Sequence, residues 1–291
     1  MKKNKQNNRI PLTLEQHQQI LYDILYMVDD FCKAHDIPYF LVGGTLLGAV
    51  RHQGIIPWDD DVDIAMTREN YERFNREFRA EKVDGYELYD YEHSRNYFHP
   101  FLKLARTDTW TNSKVTHSIA IDIFAYDGCG DNLQQAQQYF LHLQEETRTV
   151  IKKLWLAYAK GINKVMFFIK YFPIIMIYYL PLKCITPMRL RYLHGVYGQF
   201  CKFNVADCKY AANIPWGMYG IGEVQPSESF IKLTTMQFGE RALPVPSGWH
   251  DYLTGIYGDY MVPLPLEKRH RHTKISYRVV FPREVEGSEI E

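Results

Sequence analysis

The sequence predicts an α+β protein, a small mixed sheet with flanking helices, followed by a helical and strongly apolar middle region. Three observations predict it. Amphipathic helical patterns alternate with short β-branched and aromatic runs through residues 13–85. Consecutive strand-like runs follow, and helical periodicity resumes after residue 131. With 46% hydrophobic residues in 291, the chain can bury a substantial core, so general disorder is excluded.

The elements follow in order. Residues 1–12 are a polar tail. Residues 13–35 read as a helix, with Thr13 and Gln16 in capping-box positions and an apolar stripe of Leu14, Leu21, Ile24, Leu25, Val28 and Phe31. His17 lies near that stripe and reads as a packing or surface histidine. Pro38 restarts the chain into a strand ending at Gly43 and Gly44, and a short helix is expected over 45–51. After an acidic strand, Thr67 should cap a polar helix to residue 82 that buries Tyr71, Phe74 and Phe78. Strands are expected over 86–91, 101–107 and 119–126. Asp131 and Gln134 fit the start of a helix running to about residue 160.

Residues 165–182, VMFFIKYFPIIMIYYLPL, are very apolar, but Lys170 and Pro173 interrupt them below the roughly 20 residues a span needs. Lysines and arginines surround the segment, a composition that suits a helix lying in the membrane interface. A helical hairpin packed on the N-terminal domain is the competing reading, and a true span the third. The division expected is therefore 13–130 as the core that carries the mixed sheet, 131–235 as helical region and 236–291 as a C-terminal block with a basic tail.

Formal net charge is zero, which argues against a broad nucleic-acid surface. The N-terminal run MKKNKQNNR reads as a solvated tail. Five cysteines, Cys32, Cys129, Cys184, Cys201 and Cys208, show no paired zinc spacing and read as reduced thiols of a cytosolic protein. The polar N-terminus has no signal-peptide core, so export by that route is not expected.

Residues 38–66, PYFLVGGTLLGAVRHQGIIPWDDDVDIAM, carry the chemistry. Asp59, Asp61 and Asp63 share parity, so on a strand they project from one face, while Asp60 faces away and serves the turn. Carboxylates facing one way at a strand end bind a hard divalent cation well and are costly without one. Asp63 stands between Val62 and Ile64, where a purely structural strand would not place a charge. Gly43 and Gly44 let the backbone approach a ligand, and Thr45 sits near a helix N-terminus, a natural phosphate site.

This block resembles the LicD family, the phosphocholine-transferase-like branch of the nucleotidyltransferase superfamily that includes fukutin-related proteins. IDIFAYDG at 121–128 is similar to its second acidic strand, and FGERALPVPSGWHDYLTGIYGDYMVPLP at 238–265 to its C-terminal signature. The resemblance implies a nucleotidyltransferase-like sheet. It also implies Mg²⁺, or Mn²⁺ in its place, held by Asp61 and Asp63 with Asp122 as a third carboxylate from a neighbouring strand and Asp59 able to join. Asp61, Asp63 and Asp122 are then the catalytic set, with Asp122 at the attacking oxygen or taking its proton. The competing reading of Asp122 is a buried acid paired with a basic residue.

Arg51, at a basic position of the family block, is the first choice to offset phosphate charge. Lys103 emerges from a strand that could lie beside Asp122, or is a surface lysine, and Trp58 could stack on a base or simply pack. Lys268, Arg269 and His272 could close over a pyrophosphate or form a merely basic tail.

The implied activity is transfer of a phospho-alcohol, phosphocholine first, from a CDP-linked donor (CDP-choline) to a sugar hydroxyl of a cell-surface glycan or lipid-linked precursor. The expected location is cytoplasmic, peripheral at the inner face of the cell membrane. The competing readings are transfer of ribitol or glycerol phosphate, transfer of the nucleotide itself, and a non-catalytic membrane-associated scaffold. The 22 tyrosines would suit a quaternary ammonium group, although sequence does not say which of them converge.

Overall fold

The structure is a computed structural model that describes residues 9–94, 97–112, 116–158, 191, 193–269 and 275–279. In chain order its elements begin with β1 (Arg9–Pro11), α1 (Leu14–Ala34), β2 (Phe40–Leu41), α2 (Gly43–His52), β3 (Asp63–Thr67) and α3 (Arg68–Glu81). Then come β4 (Tyr86–Tyr89), β5 (Leu102–Arg106), β6 (Thr109–Thr111), β7 (Ala120–Gly130) and α4 (Leu133–Tyr158). The remainder comprises 3-10 turns Phe200–Lys202 and Val205–Asp207, β8 (Tyr210–Ala212), a 3-10 turn Gly220–Glu223, β9 (Gln225–Pro226), α5 (Glu228–Ile231), β10 (Leu233–Phe238), β11 (Arg241–Pro246), α6 (Trp249–Tyr257), a further 3-10 turn Leu266–Lys268 and β12 (Ser276–Val279).

The main sheet runs β2-β3-β7-β5-β4, with β8 and then β9 added beyond β7. β3 and β7 are parallel and their neighbours antiparallel, so the sheet is mixed, as expected. Register follows from the apolar pattern: Ile64, Ala65 and Met66 of β3 and Ile121, Ile123 and Ala125 of β7 are all buried. The β3–β7 pairing sets Asp63 directly opposite Asp122, and β7–β5 sets Asp122 opposite Lys103. Residues so paired share a face, so these three polar side chains form one row across three strands.

Helices α1 and α3 pack on this sheet. α1 begins as read, with the Thr13 hydroxyl accepting from the Gln16 amide and the Gln16 side chain accepting from the Thr13 amide. Leu21, Ile24, Leu25 and Val28 are fully buried. α3 buries Tyr71, Phe74 and Phe78. Two caps differ from expectation. The Thr67 hydroxyl accepts from Asn70 Nδ2, not from a backbone amide. At α4 the Gln135 amide donates to Asn132, while Asp131 accepts from the Lys209 amide across the fold.

A second core joins Phe140 and Leu143 of α4 to Leu193, Phe200 and Ile214. The β10–β11 hairpin packs on β2, and a separate three-stranded sheet, β1-β12-β6, joins the two ends of the described chain. Cys32, Cys129 and Cys208 are free thiols. Among the described residues no helix is long and apolar enough to cross a membrane. The apolar segment 165–182 and His272 lie outside the described residues.

Candidate active site

The site is built where β2 turns into α2 and faces the start of β3. Gly43 opens the helix at φ +54°, a conformation in which any Cβ is strained. Helix α2 therefore starts at Gly43, two residues before the expected Thr45, and no side chain caps it. The acids take up this exposed end. A Cβ built on Gly43 would lie 3.5 Å from Asp63 Oδ2, and one on Gly44 would lie 3.3 Å from Asp59 Oδ2. Both carboxylates thus stand against a helix N-terminus whose partial positive charge favours them. Thr45 is buried, and its hydroxyl accepts the Asp63 amide at 2.8 Å. It fastens the first residue of β3 to α2, a positioning role in place of the expected phosphate contact.

Only Asp63 of the acidic cluster lies on the strand. Asp59 and Asp61 belong to the loop before it, so their approach to Asp63 comes from the loop's course and not from strand parity. That course is fixed from α1. Gln18 donates to the carbonyls of Asp59 (2.7 Å) and Ile56 (3.2 Å), and the buried His17 ring bonds the Asp60 carbonyl at 3.1 Å. The Tyr22 hydroxyl accepts the Ile55 amide. His17 is therefore a packed histidine, as read, with a loop-anchoring bond that the sequence did not show. Asp60 is buried and its amide donates to the Asp59 carboxylate, in keeping with a turn role.

The acids repel one another. Burial first, then the charge of Asp61 and a hydrogen bond with it, push the Asp59 carboxyl up to about 8. Burial, then Asp61 and Asp122, drive Asp63 well above the ordinary carboxylate range, with Lys103 opposing the rise. Lys103 is ion-paired with Asp122. It therefore lies beside Asp122 and is engaged by it, so Asp122 takes the paired arrangement that its competing reading described. Among the described residues no three His, Cys, Asp or Glu side chains close into a ready-made metal cage.

Arg51 and Arg269 lie close enough for their charges to act on each other. The Arg51 Nη1 donates to the Tyr260 carbonyl at 2.9 Å, while its buried Nε has no hydrogen-bond partner. Burial and the neighbouring Arg269 charge lower its pKa. The Arg269 guanidinium lies over the Trp58 ring, 3.8 Å from its centre, and its Nε donates to the Leu264 carbonyl. Trp58 is thus brought to the acids by chain continuity and its face is taken by a cation; it also meets the His52 ring edge-on at 6.0 Å and packs against the main core, as the packing alternative expected. Lys268 ends the 3-10 turn that precedes Arg269.

Near Gly43 and Asp63 stand two tyrosines that sequence reading did not single out. A Cβ on Gly43 would lie 3.9 Å from the Tyr257 hydroxyl, which donates to Tyr219 at 3.0 Å. A cavity of 620 Å³ lies at the far end of β3, lined by Arg68, Asn75, Arg79 and Tyr91. It contains none of the expected site residues, and its cations are paired: Arg68 with Asp127 and Arg79 with Asp90.

A family model described as LicD/FKTN/FKRP, nucleotidyltransferase domain, matches residues 36–187, which hold all four acids and both glycines. The chain belongs to the LicD family. It is 29% identical over 274 residues to the lipopolysaccharide cholinephosphotransferase LicD of Haemophilus influenzae, a match covering 90% of this chain and 96% of that protein. It is 53% identical over 38 residues to the ribitol 5-phosphate transferase FKRP of Homo sapiens, covering 13% of this chain and 8% of that one. An uncharacterized protein of Rickettsia typhi is 41% identical over 68 residues, 23% of this chain and 22% of its own.

Proposed function

We propose that this protein is a phosphotransferase that moves a phospho-alcohol, phosphocholine first, from a CDP-linked donor to a hydroxyl of a cell-surface glycan or its lipid-linked precursor. The observation that carries the reading is the row Asp63–Asp122–Lys103 meeting Asp59 and Asp61 at a glycine-opened helix N-terminus. The near-full-length likeness to a cholinephosphotransferase supports phosphocholine. The short FKRP match favours ribitol phosphate as the second reading.

The donor set fits a divalent cation. Asp59, Asp61 and Asp63 are hard oxygen ligands, partly exposed and mutually repelling, with one nearby ammonium against four acids. These three, joined by Asp122, would hold Mg²⁺ or Mn²⁺. A cation bound there would supply Lewis-acid polarisation of phosphoryl oxygens and a lowered pKa for the incoming hydroxyl. The chain's own residues do the rest. Arg51 offers its unpartnered Nε, and with Arg269 offsets charge on the phosphates. The first amides of α2 face the same space. Lys103 fixes the orientation of Asp122, the candidate to take the acceptor's proton.

Incubating the purified protein with CDP-choline and Mg²⁺ tests this by release of CMP. Asp63→Asn should abolish release while leaving the fold intact by circular dichroism. A folded variant with wild-type turnover would remove the acids from the chemistry. Peripheral membrane association at the cytoplasmic face is part of the proposal and is tested by vesicle flotation; protein that stays unbound to anionic vesicles at low salt would contradict it.

A further inference from the structure

The two flanks of the acidic cluster differ in charge. Arg51, Arg269 and His52 gather on the Trp58 side. On the other side the Tyr219 and Tyr257 rings meet edge-to-face, their centres 4.8 Å apart, with hydroxyls bonded to each other. Carboxylates dominate around them. Asp63, Glu223 and Asp61, in that order, act on Tyr219, and Asp63 and Glu223 act on Tyr257. Arg51 is the cation within reach of Tyr257. Tyr219 is 46% exposed, so its face is open to a ligand.

This wall is built, not incidental. Gly222 and Gly255 touch so closely that a Cβ on Gly222 would fall 2.0 Å from the Gly255 carbonyl oxygen, and one on Gly255 would fall 2.7 Å from that of Gly222. The contact locks the 3-10 turn after Tyr219 to α6, which ends in Tyr257. Glu223, 3% exposed, accepts the amides of Tyr219 and Met218 and holds the loop from inside.

Aromatic faces attract a large, weakly hydrated cation and offer little to a neutral polyol. The geometry points to Tyr219 and Tyr257 as the wall that receives the quaternary ammonium of the donor's alcohol, making Tyr219 a determinant of donor specificity. The inference rests on the proposed phosphocholine transfer and orients the donor. Its nucleotide and phosphates lie toward Trp58, Arg51 and Arg269, its alcohol toward the tyrosines, and its transferred phosphorus between them at the acids.

Two variants at this exposed position, Tyr219→Leu and Tyr219→Phe, test it. Tyr219→Leu should raise the KM for CDP-choline about tenfold, the scale of one lost cation–π face. It should leave kcat and inhibition by CMP within about twofold, and Tyr219→Phe should behave as wild type in all three. An unchanged KM for CDP-choline would overturn the assignment. So would a matching loss of CMP inhibition, which would put the nucleotide on this wall, or a rise confined to the acceptor's KM, which would put the sugar there. Fluorescence titration with phosphocholine against phosphoethanolamine separates this claim from the functional one. Wild type that prefers phosphocholine, with the preference lost in Tyr219→Leu, supports the wall even where transfer fails. Wild type with no preference overturns it.

Discussion

Replacing Thr45 by valine removes one hydroxyl and almost no volume, so it isolates a single bond. That bond, from the Asp63 amide to Thr45 Oγ1 at 2.8 Å, joins the first residue of β3 to the first turn of α2 beneath a side chain only 5% exposed. The valine methyl fills the space, so no cavity term arises and the cost is that of an amide left without its acceptor. Such a loss is worth about 2 kcal/mol, or about 4–8 °C in Tm for a domain of this size. The larger consequence is at the site, because Asp63 loses the anchor that sets its height above Gly43. Misplacement by even a fraction of an ångström should lower kcat about tenfold or more. Differential scanning calorimetry and CMP release measure the two effects separately. Thr45→Ser, which keeps the hydroxyl, should recover most of both. A valine variant with wild-type Tm and kcat, or a serine variant no better than valine, would refute this account.

Other outcomes follow from the same geometry. Asp59, pushed up to about 8, and Asp63, also raised, hold protons that the unfolded chain has already released. Their stabilising contribution is therefore full below the unfolded carboxyl value near 4 and is lost as pH rises toward 8. The Tm without added cation should fall across that window, and Mg²⁺ should raise Tm more at pH 8 than at pH 5; equal shifts at both would contradict it. Gln18→Leu frees the carbonyls of Ile56 and Asp59. It should lower kcat and raise the Mg²⁺ requirement with a Tm loss of only about 1–2 °C, and a large Tm loss with unchanged Mg²⁺ dependence would make Gln18 purely structural. Gly222→Ala must push the 3-10 turn away from α6, so it should raise the KM for CDP-choline more than it lowers kcat.

How much of this was legible in the sequence depends on distance along the chain. Local rules worked where partners are neighbours. The capping box of α1, the buried stripe of α3 and the strand around Asp122 came from spacing alone. The row Asp63–Asp122 was legible because each acid sits between apolar residues, where a strand seldom places a charge without a partner. Local rules failed where a distant group outcompeted the near one. Asp131 left its helix to accept the Lys209 amide, and Asn132 took the cap. Thr45 looked like a phosphate contact because nothing local reveals that the Asp63 amide needs an acceptor. Tyr219 and Tyr257 were hidden among 22 tyrosines, since only a glycine–glycine contact between two separate stretches brings them together.

The parallel pairing of β3 with β7 has a kinetic consequence. The two strands are separated in sequence by α3 and by β4 to β6, so Asp63 and Asp122 become neighbours only when a long, non-local closure is complete. Their mutual repulsion is absent while the sheet is assembling and present once it has closed. Neutralising Asp63, which leaves the Asp122–Lys103 ion pair in place, should therefore slow escape from the native basin far more than it quickens entry into it.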